Sequence, residues 1–140
     1  MRPAKLTLKP SALGALILAL LAVPPIRADE IVVIVNPAAA PISKEQVTDL
    51  YLAKGGASIP IDQAADSAIY VEFYKKATGR DTSQIKAIWS RILFTGRGVP
   101  PRELPDSAAV KKAVAANPKA VGYIEKSAVD ASVKVAFSLN

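Results

Sequence analysis

The chain has no cysteine and no histidine, and only one tryptophan and one methionine among its 140 residues. Without cysteine there is no disulfide, no thiol nucleophile and no lipid-modified amino-terminal cysteine. A core must therefore hold by packing alone. Without either residue type, the usual zinc ligand sets and the histidine-based nucleophile pairs are excluded. A base for catalysis would have to be a lysine or a carboxylate. Asp62, Asp66 and Glu72 are the acids close enough in sequence to suggest paired-carboxylate chemistry or a hard cation, and all three read more simply as polar surface. The missing side chains point away from an enzyme, and no cofactor or metal is expected.

Acidic residues are also missing from the first 28 positions, where Arg2, Lys5 and Lys9 precede the apolar run from Leu13 to Val23. Pro24 and Pro25 follow, then Ile26-Arg27-Ala28 before the first acids, Asp29 and Glu30. That order is expected of an export signal cleaved after Ala28. The run is too short for a bilayer, which takes about 20 apolar residues. The division expected is a signal over 1–28 and one domain over 29–140, soluble in the periplasm. Over 29–140 the charge is 14 basic against 12 acidic residues, a balance of +2, compared with +6 for the whole chain. Nucleic acid loses its electrostatic support as a partner.

The remaining sequence alternates between two periodicities. Ile31 to Val35 is an unbroken β-branched run, which suits a strand covered on both faces. Ser43 and Gln46 form a capping box, Val47, Leu50 and Tyr51 share a helix face, and Lys54-Gly55-Gly56 supplies the expected stop. Ser58 to Asp62 reads as a short strand in which Pro60 marks an edge or a beginning. Ser67 caps a helix with Tyr70, Phe73, Tyr74 and Ala77 on one face, ended by Gly79. Arg80-Asp81-Thr82 opens another, whose Ile85, Ile88, Trp89, Ile92 and Leu93 predict a buried stripe with Trp89 inside.

Residues 94–104 (FTGRGVPPREL) cannot continue that helix and predict a structured loop or short edge strand. Asp106 or Ser107 caps a further helix with Val110, Ala113 and Val114 inward. Val121 to Ile124 predicts a strand, and Val133, Val135 and Phe137 alternate in a last one. The order β-α-β-α-α-loop-α-β-β predicts an α/β fold, a mixed sheet with helices on both faces.

Two places have the chemistry to hold an anion. At Ser67 a helix start offers free amides and a favourable dipole, and a plain cap explains it equally. In Thr95-Gly96-Arg97-Gly98 with Arg102, glycines permit a concave run of amides and the two guanidinium groups supply forked donors, while a solvated turn is the simpler account.

Val35-Asn36-Pro37, Ser43 to Gly55 with Asp49-Leu50-Tyr51-Leu52, Phe73-Tyr74, Trp89, Phe94 to Gly98, and Val121 to Ile124 after Asn117-Pro118 follow one another in a characteristic order. Together they resemble the phosphate-binding proteins of bacterial ABC phosphate transporters, specifically short relatives with about one of the usual two lobes. The resemblance spans Ile31 to Phe137 and implies a periplasmic-binding-protein-like (type II) single lobe. It also implies a small oxyanion such as phosphate as ligand, and a transporter or envelope protein as partner. A dimer would supply the wall that one lobe lacks; the sequence leaves the oligomeric state open.

The family grips phosphate with Arg, Gly and Thr around a helix-start serine. Aligned on Phe73, the serine is Ser67, but the other three positions hold Gln63, Ala68 and Ile69. Asp66 adds a negative charge beside them. Two readings follow: a non-catalytic solute-binding protein for phosphate or a similar oxyanion, or an accessory interaction module of the cell envelope that has lost its ligand.

Overall fold

A computed structural model describes residues 30–139. The expected signal over residues 1–28 lies outside the described residues. In chain order the elements are strand β1 (Ile31–Val35), helix α1 (Lys44–Tyr51), strand β2 (Ile59–Gln63), helices α2 (Ala68–Thr78) and α3 (Thr82–Phe94), strand β3 (Arg102–Leu104), helix α4 (Ser107–Ala116), strand β4 (Ala120–Glu125), a 3-10 turn (Lys126–Ala128) and strand β5 (Lys134–Leu139). The five strands form one mixed sheet in the order β3-β2-β4-β1-β5. β1 runs antiparallel to β4 and β5, whereas β2 is parallel to both β4 and β3.

Because side chains alternate along a strand, the β1 run serves two cores at once. Ile31, Val33 and Val35 face α1, α2 and α3, where they meet Val47, Tyr51, Phe73, Tyr74 and Ile85. Val32 and Ile34 face α4 and meet Val110 and Val114. All five β1 residues are buried, as expected of a strand covered on both sides. α4 lies directly on the β4 backbone at Gly122, where an added Cβ would sit 2.6 Å from Val110 Cγ1. A larger residue there would have to displace the Val110 and Val114 side chains.

Pro60 has the place its missing amide requires. β2 pairs with β4 at Ile59 and Pro60, then with β3 from Ile61 to Gln63, so at Pro60 only one side of the strand is paired. Ser43 and Asp81 both form complete capping boxes, with Gln46 and Gln84. Residues 94–104 divide between the end of α3, a loop, and the edge strand β3.

Three expectations are corrected. α1 ends at Tyr51, short of Gly55, because Ala53 takes the left-handed conformation at φ 63° and Lys54 N donates back to Asp49 O. In β5 a register shift opposite Val33 and Ile34 leaves Ala136 unpaired between Val135 and Phe137. The extra residue inverts the alternation. Phe137 and Leu139 turn toward the α1–α3 side, whereas Val133 packs on the α4 side. In α3 only Ile85 is fully buried; Ile88, Trp89 and Ile92 are half-buried and Leu93 is exposed. α3 packs chiefly on α2, which gives too little neighbouring surface to bury a five-residue stripe.

Candidate functional site

The carboxyl end of β2 organises the polar interior. Asp62 is 3% exposed, against the expectation that it sits on the surface. Its Oδ2 accepts from Tyr74 Oη at 2.6 Å, and its Oδ1 accepts a short bond from Tyr123 Oη. Burial drives its pKa up to about 7; the two hydroxyl donors oppose that rise, and the nearby Glu103 charge adds to it. The same burial, with the Asp62 charge, pushes the Tyr74 and Tyr123 hydroxyls far above their ordinary range. They stay protonated donors at any physiological pH.

A carboxyl group with a pKa near neutrality is often a catalytic acid or base. Here both oxygens are engaged by tyrosines and the carboxyl is nearly buried, meeting solvent only at the wall of a groove that Tyr70, Trp89 and Glu103 also line. The aromatic sandwich around it fixes the tyrosines. The Phe73 and Tyr123 rings stack at 3.7 Å and 2°, and Tyr51 meets Phe73 edge-on at 4.8 Å. Tyr51 Oη donates to Ile61 O at 2.7 Å. The cluster ties β2, β4, α1 and α2 together.

Just beyond β2, the starts of α2 and α4 converge on an open cleft of about 510 Å³, lined by Gln63, Ser67, Ala68, Asp106, Ser107 and Glu125 among others. Two helix amino termini facing one space is the arrangement that elsewhere receives anions. In this chain the hydroxyls are spent internally, and each cap engages one amide of its first turn, Tyr70 N and Ala109 N. Ser67 Oγ donates to Ala64 O at 2.6 Å and accepts from Tyr70 N at 3.3 Å. Ser107 Oγ donates to the Glu125 carboxylate and accepts from Gln63 Nε2 at 2.8 Å, while Asp106 caps Ala109 N at 2.8 Å. The charged residues on the cleft, Asp106 and Glu125, are both acidic, and no lysine or arginine lines it. Each carboxylate 4 Å from an oxyanion would cost roughly 1 to 4 kcal/mol, depending on the local dielectric.

Of the residues singled out from the sequence, Ser67 lies on this cleft; Thr95, Gly96, Arg97, Gly98 and Arg102 do not. Thr95 caps the carboxyl end of α3. Its N donates to Arg91 O at 3.0 Å, Gly96 N to Leu93 O at 3.2 Å and Arg97 N to Ile92 O at 3.1 Å, with Gly96 at φ 70°. Gly96 thus closes a left-handed helix cap, and the amides of residues 95–97 answer helix carbonyls. Gly98 settles against Ile92. Arg97 projects into solvent, and Arg102 is exposed at the start of the edge strand.

Sequence reasoning missed the Asp62 cluster. The α2 stripe carried only half of the signal: Tyr74 on its buried face brings one hydroxyl that needs an acceptor, while the second donor to Asp62 is Tyr123 from β4. Among the described residues there is no group of three or more acidic residues placed to hold a metal ion, and no helix is long and apolar enough to cross a membrane.

No family model and no curated protein matches the chain. Solved structures do. An ABC-type phosphate transport receptor from Vibrio cholerae aligns at a TM-score of 0.56 with 19% identity, over 76% of this chain and 45% of that one. A putative phosphate ABC transporter substrate-binding protein with bound phosphate, from Clostridium perfringens, aligns at 0.60 with 20% identity, over 76% and 44%. PstS from Borrelia burgdorferi aligns at 0.52 with 13% identity, over 76% and 46%. This chain spans less than half the length of each, and its fold is that of a single lobe of a phosphate-binding protein of this kind.

Proposed function

We propose that the chain is an exported, non-catalytic interaction module of the cell envelope, built on one phosphate-binding-type lobe whose ligand cleft has been closed to oxyanions. The observation that carries this is the state of the cleft between the α2 and α4 starts. Its hydroxyls are bonded within the protein, Gln63 stands where the resembled family has an arginine, and its charged residues are acidic. Kinship to phosphate-binding proteins supports a binding role, and the buried, saturated state of Asp62 supports a role without chemistry.

A second reading, oxyanion capture by Arg97 and Arg102, has one observation in its favour: neither guanidinium is in an ion pair among the described residues. Calorimetric titration of phosphate and of sulfate into the purified protein separates the two. No saturable heat is the expected result. Binding that survives Arg97→Ala with Arg102→Ala but not Ser67→Ala would mean that the cleft still operates. Binding lost in the double variant would support capture by the arginines. Amino-terminal sequencing of the exported protein should return Asp29; a sequence starting at Met1 would remove the export part of the proposal.

A further inference from the structure

The surface farthest from that cleft in character is the end of α3 with the loop after it. Phe94 is 92% exposed, Val99 73% and Leu93 55%, the three most exposed large apolar side chains among the described residues. They lie within seven residues, so solvent meets a patch rather than scattered contacts, and patches of this kind mark interaction sites. Beside the patch runs a groove of about 300 Å³ whose apolar walls include Trp89, Leu93, Pro100 and Pro101, with Lys86, Asp62 and Glu103 also lining it. The left-handed cap at Gly96 and the two prolines hold the loop in one course.

Charge is segregated on the same segment. From Thr82 to Arg102 there are four basic residues, Lys86, Arg91, Arg97 and Arg102, and no acid; the next residue, Glu103, lies on the groove and uses a carboxylate oxygen to accept from Ala65 N. All four are exposed, and none is in an ion pair among the described residues. Arg91 complements the carbonyl end of α3. The other three have no such local task.

Resting on the interaction-module reading, we propose that the α3 tip and the loop through Arg102 form the docking surface, and that its partner is a protein segment carrying carboxylates around an exposed apolar anchor. The carboxylates meet the basic rim, which guides encounter, and the anchor enters the groove against Trp89 and the two prolines. An anionic membrane would also attract the cations and accept Phe94. It would leave the groove unfilled, because a bilayer surface has no side chain to insert.

The test uses the whole protein in the cells that make it. A benzophenone-bearing phenylalanine analogue is introduced at position 94, where no packing is disturbed, and separately at position 71, where Val71 is exposed on α2. Irradiation should give one protein adduct from position 94 and none from position 71. The crosslinked segment should have net negative charge, and the adduct should fall at least tenfold when Arg97→Glu and Arg102→Glu are combined with the analogue. Adducts from position 71 alone would overturn this surface while leaving the interaction module standing. An adduct insensitive to charge reversal, a lipid adduct, or flotation of the purified protein with phosphatidylglycerol–phosphatidylethanolamine vesicles would overturn the proposed partner. Absence of adducts from both positions would overturn the docking proposal, and saturable phosphate binding in the calorimeter would then remove the interaction module as well.

Discussion

The cleft between the starts of α2 and α4 and the tip after α3 are opposites. The cleft has the shape of a ligand site and the chemistry of a finished interior: its hydroxyls are bonded and its charged residues are acidic. The tip has no enclosed shape, yet it leaves unsatisfied what the cleft has satisfied: three apolar side chains in water and three cations with neither an ion pair nor a helix end to serve. Inherited geometry and present function need not coincide. A helix start advertises an anion only while the side chains beside it keep their donors free and add no negative charge.

The contrast is most sharply tested by removing a large ring from each side. Phe73→Ala empties the centre of the aromatic sandwich and should cost about 3 to 5 kcal/mol, read as the shift in urea midpoint. Phe94→Ala should change stability by less than about 0.5 kcal/mol. A substantial loss from Phe94→Ala would mean that the tip belongs to the folded core.

Next in size is the pH dependence set by Asp62. Its carboxyl titrates at about 7 in the fold against an ordinary value of 3.8. Between those values the unfolded chain has released the proton and the folded chain still holds it. The contribution is therefore fully present below about pH 4 and is lost as pH rises toward 7, by up to roughly 4 kcal/mol. Asp62→Asn should flatten that part of the stability profile. An unchanged slope in the variant would show that other groups set it.

Trp89 should give a smaller effect. Its indole Nε1 donates to Tyr51 O at 3.1 Å from a half-buried ring. Trp89→Phe should cost about 1 kcal/mol, the net value of one hydrogen bond. A loss several times larger would restore the buried position expected from the sequence. Smallest of all, Arg97→Glu with Arg102→Glu should leave the urea midpoint within about 0.5 kcal/mol of the unchanged protein. A larger shift would mean that these cations hold the loop.

Much of the fold was legible because local chemistry and periodicity agreed. Ser43 and Ser67 cap the helices expected of them, Arg80-Asp81-Thr82 opens α3 with Asp81 as its cap, Asp106 rather than Ser107 caps α4, and Pro60 falls where β2 has one neighbour. The misses are tertiary. The α3 period identified an apolar face correctly, but how deeply that face is buried depends on what lies beside the helix. The unpaired Ala136 in β5 inverts an alternation that looked regular in sequence. Asp62 seemed a surface acid because nothing in a linear chain says that two tyrosine hydroxyls will reach it, one of them from 61 residues away. At the anion candidates, composition supplied glycines and arginines but not the direction of the amides, which the helix end had already engaged.

The sole indole gives the molecule a built-in optical probe. Trp89 is the only tryptophan, it lines the groove beneath the exposed tip, and its ring nitrogen is fixed to a carbonyl of the interior. Its emission wavelength therefore reads hydration at that one boundary. Occupancy of the groove should shift emission to the blue and global unfolding to the red, without any label being attached.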